Sequence, residues 1–286
     1  MNRLADAQIT ITGLGLMGGS LAGALRGRCR TVIGVARRAE TVETALACGL
    51  IDRGTTDVSS GVHQADIVVL ATPIRVILQQ LADIGPLLPQ GCLVMDLGST
   101  KTQIVTAMAR LPDHVQPLGG HPMCGREVSG IEEADPALYR GCTFILTPLE
   151  RTSAAALALG CTLAEAIGAH PLVLEPGRQD FLAGTLSHLP YLLACALVGT
   201  ADATTSADPA AWEIVASGFR DTSRLAGSDV SMMIDILLTN RKEILKALAN
   251  YQHQLHGLTR LVKTSDEDRM RAVLGTFRDK RREMFP

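Results

Sequence analysis

Four polar side chains stand in settings where they could do chemistry. His121 lies in Gly119-Gly120-His121-Pro122-Met123-Cys124-Gly125. Glycine lets backbone approach a ligand closely and proline stiffens the chain, so this run predicts a rigid turn that presents an imidazole. Imidazole is the side chain that titrates near neutral pH without help, which suits it to accept or donate a proton. A turn histidine with a structural hydrogen bond is the alternative. Ser99 follows an apolar run and supplies a hydroxyl that could cap a helix or orient a substrate oxygen. His188 sits in Ser187-His188-Leu189-Pro190 within an otherwise apolar stretch, where a core histidine is the simpler reading. Arg220 lies in Ser217-Gly218-Phe219-Arg220-Asp221-Thr222-Ser223-Arg224, which predicts an anion-binding loop or an arginine paired with Asp221.

The first half of the chain carries the elements that would position these groups. Gln8-Ile9-Thr10-Ile11-Thr12 reads as a strand and runs into Gly13-Leu14-Gly15-Leu16-Met17-Gly18, with a helix expected from about Gly19 to Arg26. A GxGxxG between strand and helix is a dinucleotide-binding signature. Gly13 makes the tight turn, Gly15 admits a pyrophosphate, and Gly18 lets helix and strand pack. The next strand, 31–36, ends in Arg37-Arg38 where NAD enzymes usually place a carboxylate for the ribose hydroxyl. Two guanidiniums suit a 2′-phosphate, so NADP is the preferred cofactor expected, with NAD as the alternative. Apolar runs at 66–71 and 92–97 read as buried parallel strands, followed by Thr72-Pro73 and by Gly98-Ser99-Thr100-Lys101 before a helix at 103–110. Strands at 143–146 and 171–174 flank an Ala-rich helix from Ser153 to Ala166.

After Glu175-Pro176-Gly177 the strand signals stop. Helical periods run through 178–203, 209–217, 230–262 and 266–282. The expected architecture is therefore an α/β Rossmann-type domain with a parallel sheet over 1–175, then an all-α domain over 176–286. So many apolar helices in a short segment call for a partner, which predicts a homodimer.

Composition narrows the function. Formal charge is −2, from 27 Lys and Arg against 29 Asp and Glu, and only 3% of residues are aromatic. Neither a nucleic-acid nor an anionic-membrane surface is expected. The seven cysteines include no two-residue spacing, which argues against a zinc or dithiol motif and for small buried thiols in a reducing compartment. No metal site is expected. No signal peptide is recognised, and Phe181 to Ala201, with Ser187, His188 and Pro190 inside it, reads as a core helix rather than a membrane span.

Together these segments resemble the prephenate and arogenate dehydrogenase family. The motifs that carry the resemblance are the glycine loop, Asp96-Leu97-Gly98-Ser99-Thr100-Lys101, Gly119-Gly120-His121-Pro122, Ser187-His188-Leu189-Pro190 and Gly218-Phe219-Arg220-Asp221, and their order spans essentially the whole chain. The resemblance implies a Rossmann domain, a helical dimerisation domain and a site between them. It implies a cytoplasmic enzyme of tyrosine biosynthesis that oxidatively decarboxylates prephenate to 4-hydroxyphenylpyruvate, or L-arogenate to L-tyrosine. His121 would then accept the proton or hydrogen bond of the ring hydroxyl, Ser99 would orient that hydroxyl, Arg220 would hold a carboxylate and His188 would support the substrate. An unperturbed imidazole predicts a fall in kcat/KM below about pH 6.5.

The sequence departs from the family pattern at several positions. Arg126-Glu127 replaces Thr-Glu, with Glu127 a candidate for gating the substrate. Met232-Met233 stands where many members carry tryptophan, and Gln179-Asp180 replaces His-Asp. Asn240-Arg241 is a candidate contribution from a facing subunit, with a helix-surface role as the equal alternative. Two rivals remain: a β-hydroxyacid-type dehydrogenase, which would rely on a helical-domain lysine, and a non-catalytic NADP-binding sensor, which would need only the glycine loop.

Overall fold

The computed structural model describes residues 4–285; the outermost expected domain bounds, 1 and 286, lie outside them. The chain begins β1 (Gln8–Thr12), α1 (Leu16–Leu25), β2 (Thr31–Val35), α2 (Ala39–Ala47), β3 (Arg53–Thr55), α3 (Val58–Val62), β4 (Ile67–Leu70) and α4 (Ile74–Ile84). It continues β5 (Leu93–Asp96), α5 (Thr102–Met108), β6 (Gln116–Pro122), β7 (Thr143–Pro148), α6 (Ala154–Ala166) and β8 (His170–Val173). All later elements are helical.

The eight strands form one sheet in the order β3-β2-β1-β4-β5-β6-β7-β8. Neighbours pair in parallel, for example Ile9 with Ile67 and Val69 with Met95. The exception is β7, which runs antiparallel to β6 with His121 opposite Ile145. The expected parallel sheet is thus found, with this one antiparallel pair within it. Each central strand is buried on both faces because helices cover both sides. In β4, Ile67 and Val69 join one core cluster while Val68 and Leu70 join the other. That alternation explains why the strand reads as an unbroken apolar run.

The helical half comprises α7 (Pro176–Ala183), a π-helical turn (Gly184–His188), α8 (Leu189–Thr205), α9 (Ser217–Ser223), α10 (Val230–Thr239), α11 (Arg241–Thr264) and α12 (Glu267–Met284). The helix expected at 178–203 is thus interrupted. Pro190 lacks an N–H and crowds the carbonyl four residues back, and the wider turn accommodates this. The helix expected at 209–217 is absent. Asp208 accepts from Ala210 N at 3.0 Å, and this local turn competes with helix. The loop expected at 217–224 is instead α9, anchored by an edge contact between Trp212 and Phe219. The helix expected at 230–262 breaks at Asn240.

Met233 and Ile236 of α10 enter the core cluster shared by α4 and α5, so the helical half packs on the sheet half. Asp235 reinforces this contact by accepting from Arg75 N at 3.2 Å and pairing with its guanidinium. The apolar stretch Pro176–Thr205 is not a core helix in the single chain. It is long and apolar enough to cross a membrane by length and composition alone, and only 28% of its apolar window is buried. Buried thiols were expected, but only Cys92 is buried; Cys48 is exposed and the other five cysteines lie between.

Candidate active site

The loops after β1, β4, β5 and β6 leave the same edge of the sheet, because these neighbouring strands run parallel. Gly13 to Gly18, Thr72-Pro73, Ser99 and His121 therefore share one edge. From β1 to β6 is three strand spacings, about 14 Å at ~4.8 Å each, so the histidine stands well to one side of the glycine turn.

That turn fits a dinucleotide. Gly13 has φ +93°, a conformation L side chains rarely adopt, and a Cβ there would press on Ala71 and Thr72. A Cβ on Gly18 would strike the Gly13 carbonyl oxygen, whereas one on Gly15 would meet nothing. Gly15 thus borders open space at the start of α1, whose first N–H groups receive no side-chain cap. This is a cradle for an anion at a helix N-terminus, with Leu14 buried behind it and Leu16 and Met17 opening the helix. Arg37 and Arg38 are exposed just beyond β2, and their side chains have no partner among the described residues. Thr72 donates to Gln80 Oε1 at 2.8 Å, and Pro73 precedes α4.

His121 is not in a turn. It is the penultimate residue of β6 and only 7% exposed. The two preceding glycines act through packing: a Cβ on Gly120 would run into the Asp96 backbone, so glycine is what lets β6 pass the end of β5. Asp96 holds the same spot from within, accepting from Gly120 N at 3.0 Å and Gly98 N at 2.8 Å and pairing with Lys101 Nζ. Both charged groups are wholly buried. Burial raises the Asp96 pKa and lowers that of Lys101, and each partner opposes the other's shift. Sequence reasoning assigned this pair no role; its signal was an aspartate closing an apolar strand five residues before a lysine.

Ser99 does not cap α5. Lys101 occupies the cap position, and the carboxylate of Asp180 in α7 accepts from Lys101 N at 2.6 Å and Thr102 N at 2.8 Å. Ser99 is half-buried and its hydroxyl has no partner among the described residues. Its carbonyl accepts from Gln179 Nε2 at 3.1 Å, and the same nitrogen lies 2.7 Å from His121 Nδ1. His188, at the end of the π-helical turn, is 1% exposed, with Nδ1 3.1 Å from Asn240 Nδ2. That nitrogen also donates to the Asp180 carbonyl at 2.7 Å. Asn240 therefore works within its own chain. Thr100 and Thr239 add a hydroxyl contact of 2.8 Å between the halves.

Burial lowers the pKa of both histidines. His121 falls to about 3, first by desolvation, then by the charges of Lys101 and His188. His188 falls to about 4 by desolvation. Two neutral imidazoles thus share the seam between the halves. Arg220 lies exposed on α9, and its guanidinium has no partner among the described residues, Asp221 included. Glu127 is instead paired with Arg224, which ties the segment after β6 to the helical half. Among the described residues no group of three or more His, Cys, Asp or Glu could hold a metal ion.

Residues 21–173 match the family description "Prephenate dehydrogenase, nucleotide-binding domain" and residues 175–276 match "Prephenate dehydrogenase, dimerization domain". The chain is 33% identical over 287 residues to the prephenate dehydrogenase of Bacillus subtilis (strain 168), which covers 98% of this chain and 76% of that one. The crystal structure of prephenate dehydrogenase from A. aeolicus with hydroxyphenyl propionate and NAD+ is similar at TM-score 0.91 and 31% identity, covering 99% of this chain and all of that one. Synechocystis arogenate dehydrogenase is similar at TM-score 0.84 and 32% identity, covering 97% and 99%. With these matches over both halves, and with a glycine cradle on the sheet edge and a buried histidine at the seam with the helical half, the chain belongs to the prephenate dehydrogenase family.

Proposed function

We propose that this chain oxidatively decarboxylates prephenate, L-arogenate or both, with His121 and Ser99 acting on the ring hydroxyl. The observation that carries the proposal is a buried, neutral His121 that shares Gln179 Nε2 with the Ser99 carbonyl, on the sheet edge that holds the glycine cradle. The family supports the reaction class, and the chain is an oxidoreductase that binds a nicotinamide dinucleotide. When bound, the nicotinamide accepts hydride from the carbon bearing the hydroxyl.

The protein's own residues do the rest. Gly13, Leu14, Gly15, Leu16, Met17 and Gly18 cradle the dinucleotide phosphates, and Thr72 and Pro73 line the next loop along. A neutral His121 adds no positive charge beside the carbon that loses hydride. Ser99 orients the hydroxyl. His188 and Arg220 bind oxygens of the substrate, each charge-assisted bond contributing roughly 1.5–3 kcal/mol. Glu127 and Arg224 close the cleft mouth. We divide the chain into a dinucleotide unit, 1–175, and a helical unit, 176–286. Exposed Leu186, Val230, Ile234, Leu238, Leu255 and Phe277 give the helical unit an apolar surface that a second copy would cover. A homodimer in the cytoplasm is the form we expect.

The test is reduced-nicotinamide absorbance, crossing prephenate and L-arogenate with NAD and NADP. Turnover in at least one combination is expected, fastest with NADP. Replacing Arg37 and Arg38 with serine should weaken NADP about 10- to 100-fold and spare NAD, as expected for losing a charge-assisted bond. No turnover in all four combinations would sink the proposal; a preference for NAD would remove the assignment of the two arginines.

A further inference from the structure

Segment 125–141 leaves the sheet between β6 and β7 and lies on α1. Tyr139 Oη donates to the Met17 carbonyl at 2.7 Å, and Ser20 Oγ accepts from Asp135 N at 2.8 Å. A Cβ on Gly19 would strike Ile131 and Ala134, so the contact is close. The segment also reaches the helical half, through the pairing of Glu127 with Arg224. It therefore touches the dinucleotide helix and the helical half at once.

Two cysteines stand at the neck of this segment. The β6–β7 register sets His121 against Ile145 and Pro122 against Phe144. Met123 N donates to the Thr143 carbonyl at 2.8 Å, which adds one more hydrogen-bonded rung. The next opposed residues are Cys124 and Cys142, on the face of the ladder that Phe144 shares. Both are half-buried and pack against the core cluster that holds Phe144 and Tyr139. Opposed residues beside a hydrogen-bonded rung have Cα atoms about 4.5 Å apart, within the roughly 4.4–6.8 Å that a disulfide spans. The thiols meet: Cys124 Sγ–H donates to Cys142 Sγ. That hydrogen bond lowers the pKa of Cys142 and, together with burial, raises that of Cys124. The thiolate is the reactive form, so Cys142 is the sulfur that reacts first.

We propose that Cys124 and Cys142 form a modification site, a dithiol that a low-molecular-weight disulfide such as glutathione disulfide converts reversibly to a cross-strand disulfide, fastening the neck of segment 125–141. The Cys142 thiolate attacks one sulfur of glutathione disulfide. A mixed disulfide forms, and one glutathione leaves with the proton that Cys142 gave up. The Cys124 sulfur, losing its own proton, then attacks Cys142 Sγ and expels the second glutathione. Two protein thiols are oxidised to one disulfide, one glutathione disulfide is reduced to two thiols, and two electrons and two protons pass between them. Excess glutathione reverses each step, so the pair rests reduced in a reducing compartment and responds when the thiol pool is oxidised.

Closure moves one side of the neck more than the other. Cys142 is held in place: its carbonyl accepts from His170 N at 2.8 Å, and its N–H donates to the Tyr139 carbonyl at 3.2 Å. Cys124 follows the last rung of β6 and precedes Gly125, where φ is +154° and a Cβ would meet nothing, so the backbone is free to turn. The pull therefore falls on Arg126 and Glu127, and through Glu127 on the pair with Arg224, while the contacts with α1 stay. For the effect on turnover, the inference rests on the cleft mouth assigned above; for the disulfide it does not.

The experiment holds the full chain in glutathione buffers of rising disulfide fraction, quenches with acid, alkylates the free thiols and maps the peptides by mass. The expected product is a peptide pair joined at Cys124 and Cys142, two hydrogens lighter than the dithiol and separated again by dithiothreitol. Cys124→Ser keeps a hydrogen-bond donor beside Cys142 but has no second sulfur, so it should stop at a glutathione adduct on Cys142. Cys142→Ser should leave Cys124 unmodified. Both cysteines still reduced in a buffer that already adds glutathione to the exposed Cys48 would overturn the proposal, and that result needs no variant to fold. Steady-state kinetics of the linked chain should show the substrate KM raised about two- to fivefold, the scale of one surface ion pair, with the dinucleotide Kd unchanged. The same oxidant should not move the KM of Cys142→Ser. Linkage with an unmoved KM would overturn the coupling to the cleft mouth. Linkage in a protein inactive on all substrate and cofactor combinations would instead count against the reaction alone.

Discussion

Asp180 caps a helix to which it does not belong: its carboxylate accepts from Lys101 N at 2.6 Å, at the start of α5. The second oxygen takes Thr102 N at 2.8 Å, and the Asp180 carbonyl takes Asn240 Nδ2. One residue of the helical half thus fixes the loop bearing Ser99. An N-cap is worth about 0.5–2 kcal/mol and a hydrogen bond to a charged group about 1.5–3 kcal/mol. Asp180→Ala should therefore lower unfolding free energy by roughly 2–3 kcal/mol, by those same measures. It should also lower kcat, because Ser99 loses its position. Urea unfolding with steady-state kinetics checks both; an unchanged kcat in a destabilised variant would mean the cap serves stability only.

The Asp96–Lys101 pair is buried on both sides, so breaking it from one side leaves a stranded charge. Lys101→Met should cost about 3–5 kcal/mol. Adding Asp96→Asn should recover part of that loss, since the amide oxygen can still accept from one of Gly98 and Gly120. A double-mutant cycle by chemical unfolding measures the recovery. Simple additivity would show that the two groups are not energetically coupled.

The histidines give stability a pH dependence of definite sign. Folded His121 and His188 titrate near pH 3 and 4, below the ordinary 6.5. Between those values the unfolded chain binds more protons than the folded one, so stability rises with pH there. The contribution is complete above about pH 6.5 and is lost progressively as the pH falls toward 4 and 3. Melting temperature should fall over that window, less steeply in His121→Gln. The free enzyme should likewise show no His121 limb in kcat/KM near pH 6.5, which corrects the unperturbed value expected from sequence. A limb at 6.5 that disappears in His121→Gln would contradict the burial argument.

The glycines of the cradle should separate into two kinds. Gly18→Ala drives a methyl into the Gly13 carbonyl, so melting temperature should drop. Gly15→Ala meets no protein atom, so the fold should stand while the dinucleotide Kd rises at least tenfold, the scale of about 1.4 kcal/mol. Calorimetry of both variants with NAD and NADP reads the difference. Equal effects on stability would show that the open space at Gly15 is not where the phosphates sit.

The sequence by itself determined the Rossmann half and the glycine run that opens it. Burial on both faces writes an uninterrupted apolar run into β4 and β5, and a phosphate cradle demands glycine at fixed steps, so both are local signals. It also showed where the strands stop, because apolar periodicity changes from two to about 3.6. Short β3 went unread because an edge strand of Arg53-Gly54-Thr55 has no such run. The helical half was mis-divided for a related reason: Asn240 and Pro190 break helices whose apolar periods continue across them.

Only the tertiary structure decided what the site residues do to one another. His121 reads as a turn residue until β7 pairs alongside it. Ser99 reads as a cap until Asp180, 81 positions on from it in the chain, takes that role. Gln179 and Asn240 carry no catalytic signature, yet they meet two imidazoles through contacts spanning 58 and 52 residues. Hydrogen-bond direction and desolvation depend on which groups face each other across the seam, and residues so far apart in the chain meet only when the two halves have packed.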